Sequence, residues 1–456
     1  MSTDPTAYLL ERAWVDGAVA DDVLVTIEGG RFTSVTPAVR NSRFPYEASC
    51  GKREFHRVPG ETHRLPGLTL PGLANCHSHA FHRALRGRTQ RERGTFWTWR
   101  EQMYAVAGRL DPDGYFALAR ATYGEMAAAG ITSVGEFHYL HHQPDGTPYD
   151  DPNAMGLALV EAAREAGVRI ALLDTCYLSS GFGEPPQGAQ TRYSDGDARR
   201  WAERVSLLRP DDATVVGAAI HSVRAVPDDQ LATVVEASSG RPLHVHLSEQ
   251  TAENDACLAA YGVTPTRLLA DHGILGPLTT AVHATHLTDA DLALLGAGGT
   301  HACFCPTTER DLGDGVGLSR RLHDAGSPLT LGSDSHAVID LFEEMRAVEM
   351  DERLTARTRG HWTAGELLTA ATTTGHASLG FPDAGHIAVG QRADLVTLDT
   401  GTPRTAGTGA DAHTAVFAAT AADVVHVVAD GRVTFRSDDR ERVGRDLADA
   451  IERTWA

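Results

Sequence analysis

Two short segments each space a pair of histidines by two residues. One is Asn75-Cys76-His77-Ser78-His79; the other is His244-Val245-His246, running on to Leu247-Ser248-Glu249. Further titratable groups follow apolar runs along the chain: Glu136, His138, Tyr139, His141 and His142; His221 and Arg224; His283 and His286; Asp334 and His336. On a β-strand successive side chains alternate between faces, so both rings of an H-x-H pair point the same way. Neutral imidazoles suit Zn²⁺, and a third histidine with an aspartate would complete a site that keeps a position open for water. Such water loses a proton near neutral pH and becomes a nucleophile. One pair alone is weak, because 22 histidines among 456 residues place about one H-x-H pair by chance. Two pairs, each at the end of an apolar run, point to metal-dependent hydrolysis.

These residues need a scaffold that gathers them. Apolar runs recur at Leu68–Leu73, Thr132–Val134, Ile170–Leu173, Val215–Ile220, Pro242–Leu247, Thr280–His283, Thr300–Cys305 and Leu329–Gly332. Between most of them lie stretches with helical periodicity, such as Asp113–Ala129, Pro152–Ala166, Asp228–Ser238 and Asp289–Leu295. Short buried strands alternating with helices predict an α/β fold, a (β/α)8 TIM-type barrel over residues 67–385, with a doubly wound open sheet as the other reading. A barrel carries all of the polar strand ends to one mouth. Residues 7–36 and 386–435 instead alternate with turns, which predicts a small β-sandwich domain built from both termini, residues 1–66 and 386–437. Within the first, residues 40–66 read as a polar linker. Residues 438–456 read as a charged C-terminal helix. The Gly/Pro-rich stretch 179–197 reads as a loop near the third strand end, suited to cover the mouth, and 312–317 as a mobile loop over the site. Cys303 and Cys305 read as buried thiols, His336 as structural, and His138, His141 and His142 as supporting or surface groups.

Composition narrows the function classes. Lys plus Arg total 41 against 60 Asp plus Glu, a net charge of −19. That balance disfavours nucleic acid as a partner. No apolar run approaches the roughly 18 residues of a membrane span, and the first residues lack a basic and apolar leader, so a cytoplasmic protein is expected. Six sparse cysteines fit a reducing compartment. Hydrolases of this layout that hold two metals usually bridge them with a carboxylated lysine. The one lysine, Lys52, precedes the barrel, so a single ion is expected.

In order along the chain, LPGLANCHSHAF, HVHLSEQ, VHATHL, LGSDSH and the closing GQRADLVTLD resemble the amidohydrolase superfamily. Within it, FWTWREQMY, EFHYLHH, HSVRAV and CPTTERDLGDG resemble the formimidoylglutamate deiminases of histidine degradation. The resemblance implies one divalent ion, Zn²⁺ or else Fe²⁺, held by His77, His79, His246 and Asp334. It implies Glu249 as the proton shuttle and His283 as the residue that orients the hydrolytic water, with Asp334 also able to take a proton. It implies that Arg100, Tyr139, His221 and Arg224 grip a small dicarboxylate, N-formimino-L-glutamate. His82 departs from that pattern, standing where a glutamine is expected. A homodimer is the expected assembly, being common for this architecture. Two alternatives stay open: a deaminase or chlorohydrolase of the same superfamily acting on an aromatic base, and a non-catalytic assembly protein with the same fold.

Overall fold

The computed structural model describes residues 6–37, 62–90, 93 and 96–456. Lys52, Cys50 and most of the 40–66 linker lie outside those residues. The chain opens with β1 (Thr6–Val15), β2 (Ala18–Glu28), β3 (Arg31–Pro37) and β4 (Thr62–Pro71). Eight strands follow: β5 (Leu73–Ser78), β6 (Ile131–His138), β7 (Arg169–Cys176), β8 (Thr214–Ile220), β9 (Leu243–Leu247), β10 (Thr279–His283), β11 (His301–Phe304) and β12 (Leu329–Leu331). The chain returns with β13 (Leu395–Leu398), β14 (Val424–Ala429) and β15 (Arg432–Arg436).

Strands β5 to β12 pair in sequence order, every neighbour parallel. The two ends of this row also meet. Ser78 bridges to Asp334, and the His77 carbonyl accepts the backbone N–H groups of Ser333 at 3.1 Å and Asp334 at 3.0 Å. The sheet is therefore a closed (β/α)8 barrel and not a doubly wound open one. Its strands are covered on both faces, which is why β6 and β7 are buried throughout and read as apolar runs without alternation.

One run divides differently from its hydrophobic pattern. Leu68–Pro71 is the end of β4, which pairs with β1 and β13 in the other sheet. The first barrel strand begins only at Leu73 and carries His77 inside it. Leu68, Leu70 and Leu73 are all fully buried, so burial on both sides of Gly72 hides the boundary.

The second sheet has the order β15-β14-β13-β4-β1-β2-β3, with strands from both ends of the chain. It gathers its own core from Tyr8, Leu10, Val25, Phe32, Ile387 and Leu395. At the N-terminal end of the barrel, fully buried Arg169 pairs with Asp394 and, at 3.0 Å, with Asp430. The two sheets are thus joined away from the mouth. The helix Arg440–Trp455 is solvated on one face only: Leu447, Ala450 and Thr454 are buried, and the Trp455 indole N–H donates to the Ala84 carbonyl at 2.9 Å. Among the described residues no helix is long and apolar enough to cross a membrane.

Candidate metal centre and active site

Five side chains from four strand ends converge at the C-terminal mouth. The Nε2 atoms of His77 and His79 each lie 3.3 Å from one Asp334 carboxylate oxygen. His77 Nε2 is 3.1 Å from His246 Nε2. His283 Nε2 is 3.8 Å from the second Asp334 oxygen, and His283 also falls within ligand distance of His77 and His246. Close approach of the first and last strands depends on Gly332, where a Cβ would stand 2.7 Å from that of His77. Ser248, His283, Ala284, Asp334 and His336 all adopt positive φ. Non-glycine residues in that region carry backbone strain of about 1–3 kcal/mol each, and here they cluster where strand ends turn side chains into the mouth.

The donor pattern tests whether a cation fits. His79 Nδ1 donates to the Phe137 carbonyl and His246 Nδ1 to the His221 carbonyl, both at 2.9 Å. Each ring proton is thereby held on Nδ1, and each Nε2 presents a lone pair inward. Burial holds these imidazoles neutral, pushing His79 down to about 3 and His246 well below its ordinary value. Burial alone would raise Asp334, but the rings around it, His77 first and then His283 and His79, outweigh burial and keep the carboxyl below the usual range. Lone pairs crowded around an anionic oxygen repel one another unless a cation lies between them. The set therefore fits a divalent metal ion with nitrogen and oxygen ligands.

His283 is set apart from the other rings. Its Nδ1 faces Glu309 at 3.4 Å, and its Nε2 faces Glu249 at 3.9 Å. Burial would lower it, but Glu249, Glu309 and Asp334 outweigh burial and hold it well above its ordinary value. The half-buried Glu249 carboxyl is raised by its removal from bulk water.

Beneath the first strand, buried Glu136 accepts the Ser78 hydroxyl at 2.6 Å and the Ala80 N–H at 2.7 Å, fixing the backbone around His79. Burial pushes Glu136 up from 4.5 to about 7 in spite of these bonds. The folded state thus holds this proton more tightly than the unfolded chain does. The stability it contributes is complete below 4.5 and lost as pH rises through about 7. Glu136→Gln is expected to leave stability nearly unchanged at pH 5 and to raise it by about 3 kcal/mol at pH 8. Denaturant unfolding at the two pH values reads this directly; an equal effect at both would contradict it.

A cavity of about 720 Å³, part of it open to solvent, lies against the cluster. Arg100, Tyr139, His221 and Arg224 all line it, as do His82, Glu249 and His283. His82 Nε2 and the Tyr139 hydroxyl lie 3.1 Å apart, and the His82 ring meets Trp99 edge-on at 5.2 Å. Arg100 lies over the Tyr104 ring at 5.3 Å. Arg224 Nε is 3.9 Å from buried Glu253, whose carboxyl burial pushes up to about 7. Glu253, Glu309, Tyr104, Tyr177, Tyr193 and Gln190 were not singled out by sequence. Each acts through a partner on another element, so no local period marks it.

Cys303 and Cys305 are buried thiols. His336 is fully buried between Ser78 and Ser333, at 3.1 and 3.0 Å. His138, His141 and His142 are buried, not surface groups. The first two stand within ligand distance of Asp174. That carboxylate already accepts the Trp201 indole N–H at 3.0 Å and two bonds from Arg204 at 2.9 and 2.8 Å, so a guanidinium already supplies the cation there. Stretch 179–197 is anchored: Arg192 donates to the carbonyls of His142 at 3.1 Å and Leu110 at 2.9 Å, and to that of Ala107. Within 312–317, Leu312 lines the cavity and Asp314 is buried against Gln250.

Residues 68–434 match the sequence profile described as the amidohydrolase family. A formimidoylglutamate deiminase of Pseudomonas aeruginosa is 38% identical over 364 residues, covering 76% of this chain and 80% of its own length. A 5-methylthioadenosine/S-adenosylhomocysteine deaminase of Haloarcula marismortui is 28% identical over 407 residues, covering 85% of this chain and 88% of its own. The crystal structure of an amidohydrolase from Brucella melitensis superposes with a TM-score of 0.86 at 30% identity, covering 99% of this chain and 100% of its own.

Proposed function

The chain belongs to the amidohydrolase family, and from that premise we propose that it hydrolyses N-formimino-L-glutamate to N-formyl-L-glutamate and ammonia, a step of histidine breakdown. The observation that carries this reading is a juxtaposition. Arg100 and Arg224 line the same cavity as His79, His246 and Asp334, in a chain of net charge −19. A field of that sign opposes a dicarboxylate at long range and is screened beyond about 10 Å in salt. Attraction must come from placed guanidinium groups, which pair well with carboxylates. The 38% identical deiminase supports the same substrate.

His77, His79, His246 and Asp334 would hold one divalent ion, Zn²⁺ in first place. When bound, it supplies Lewis acidity that lowers the pKa of water toward about 7. Glu249 takes the water proton and delivers it to the imine nitrogen, a role suited to a carboxyl raised by its surroundings. His283, whose ring nitrogens face Glu249, Glu309 and Asp334, orients the attacking water and donates to the charge that develops on its oxygen. Water oxygen bonds to the formimino carbon, the bond to the terminal nitrogen breaks, and ammonia leaves. Arg100 and Arg224 take the two carboxylates, while Tyr139, His82 and His221 wall the chain between them.

A purine-type deaminase is the second reading, favoured by the ring-rich wall of Trp99, Tyr104, Tyr139, Tyr177 and Tyr193. It leaves both arginines without a partner on the substrate. Arg224→Met is expected to lower kcat/KM for N-formimino-L-glutamate by about 10- to 100-fold, chiefly through KM. Unchanged steady-state kinetics would exclude the dicarboxylate reading.

A further inference from the structure

Gln190 lies in the short 3₁₀ helix Gly188–Tyr193 that Arg192 anchors, and its side chain is buried. Its Oε1 accepts the backbone N–H of Gln187 at 3.1 Å. That bond fixes the amide, because the flipped form would set an NH₂ group against an N–H. Nε2 then gives its two hydrogens to the hydroxyl oxygens of Tyr177 at 2.8 Å and Tyr104 at 3.1 Å. An oxygen that accepts from Gln190 keeps its own hydrogen for another acceptor. Among the described residues neither hydroxyl has one, and both side chains line the cavity. Tyr193 lines it too, and its buried hydroxyl has no hydrogen-bond partner among the described residues. Its ring packs 5.4 Å from Tyr177 and 6.4 Å from Tyr104. Arg100 stacks on Tyr104 at the same wall.

We propose that Gln190 is a positioning residue: it presets Tyr104 and Tyr177 to point their hydrogens into the cavity, so that with Arg100 and the Tyr193 hydroxyl they form a donor-rich wall for a carboxylate of the substrate. A carboxylate only accepts hydrogen bonds and can take every hydrogen such a wall presents, whereas a neutral purine edge carries donors of its own and leaves part of the wall unpaired. The inference rests on the reading above that the substrate is an anionic amidine, and it adds the residues that select the anion.

Gln190→Glu exchanges the shared donor for a carboxylate that accepts from both hydroxyls and turns their hydrogens out of the cavity. KM for N-formimino-L-glutamate should rise about tenfold or more while kcat falls less than about threefold. Tyr177→Phe removes one donor without adding charge and should show the same split, which also covers the case in which Gln190→Glu fails to fold. A fall in kcat with KM unchanged, or no change in either variant, would overturn the proposal. Glutarate has no formimino group and separates the two claims. Calorimetry should show it binding the wild-type protein and binding the variants about tenfold more weakly. Absence of wild-type binding, or equal affinity in the variants, would overturn the wall. Intact glutarate discrimination with no turnover of N-formimino-L-glutamate would support the wall and reject the reaction.

Discussion

Glu249→Gln is expected to lower kcat by about 10²- to 10⁴-fold, the usual contribution of a general acid–base group. The amide preserves size and one acceptor, but it cannot take a proton from water or deliver one to the leaving nitrogen. Glu249 is half-buried on the cavity wall, 3.9 Å from His283, and is outside the set of side chains that face one another as ligands. Metal content should therefore stay at the wild-type level, and KM should change little. The loss should also flatten the acidic limb of the pH–rate profile, since that limb reports the base whose protonation stops the reaction. Residual activity within about threefold of wild type would remove Glu249 from proton transfer.

His246→Ala carries the second large effect. His246 sits on β9 with Nδ1 tied to the His221 carbonyl and its ring stacked 4.2 Å from Phe137. Those contacts aim Nε2 at His77, 3.1 Å away. Removing it leaves a three-ligand remnant that no longer holds a divalent ion in the chosen geometry. Metal content should fall well below one ion per chain and turnover by at least about 10³-fold, since several kcal/mol of charge stabilisation go with the ion. Chelator treatment of the wild-type protein should give the same loss, reversed by adding Zn²⁺. Full activity in chelator-treated protein would contradict a metal-dependent reaction.

What was legible from sequence is what local periodicity controls. Strands β6 to β12 lie within the apolar runs or extend them by a few residues, because a strand covered on both faces must be apolar. The two H-x-H pairs were legible for the same reason: period two on one strand puts His77 beside His79. The β4–β5 boundary was not, since Leu70 and Leu73 are equally buried although they belong to different sheets. Partnerships across elements were also hidden. Gln190 reaches Tyr104 and Tyr177, Glu253 lies against Arg224, and Arg204 joins Asp174 and Asp195. Nothing in the spacing of those residues announces the contact. The same holds for His141 and His142, whose polarity suggested an outer position but which are buried beside the Asp174 and Asp195 carboxylates that Arg204 pairs with. The 179–197 stretch read by its Gly and Pro content as a loop suited to cover the mouth; Arg192, buried on three carbonyls, anchors it.

The most direct measurement is proton NMR of Zn²⁺-loaded protein mixed with N-formimino-L-glutamate, with ammonia quantified in parallel and 5′-methylthioadenosine as the competing substrate. The formimino signal should give way to a formyl signal with one ammonia released per formyl group formed, while 5′-methylthioadenosine persists. Deamination of 5′-methylthioadenosine with N-formimino-L-glutamate left untouched would contradict the assignment of Arg100 and Arg224 to a dicarboxylate and turn the aromatic wall into a base-binding site.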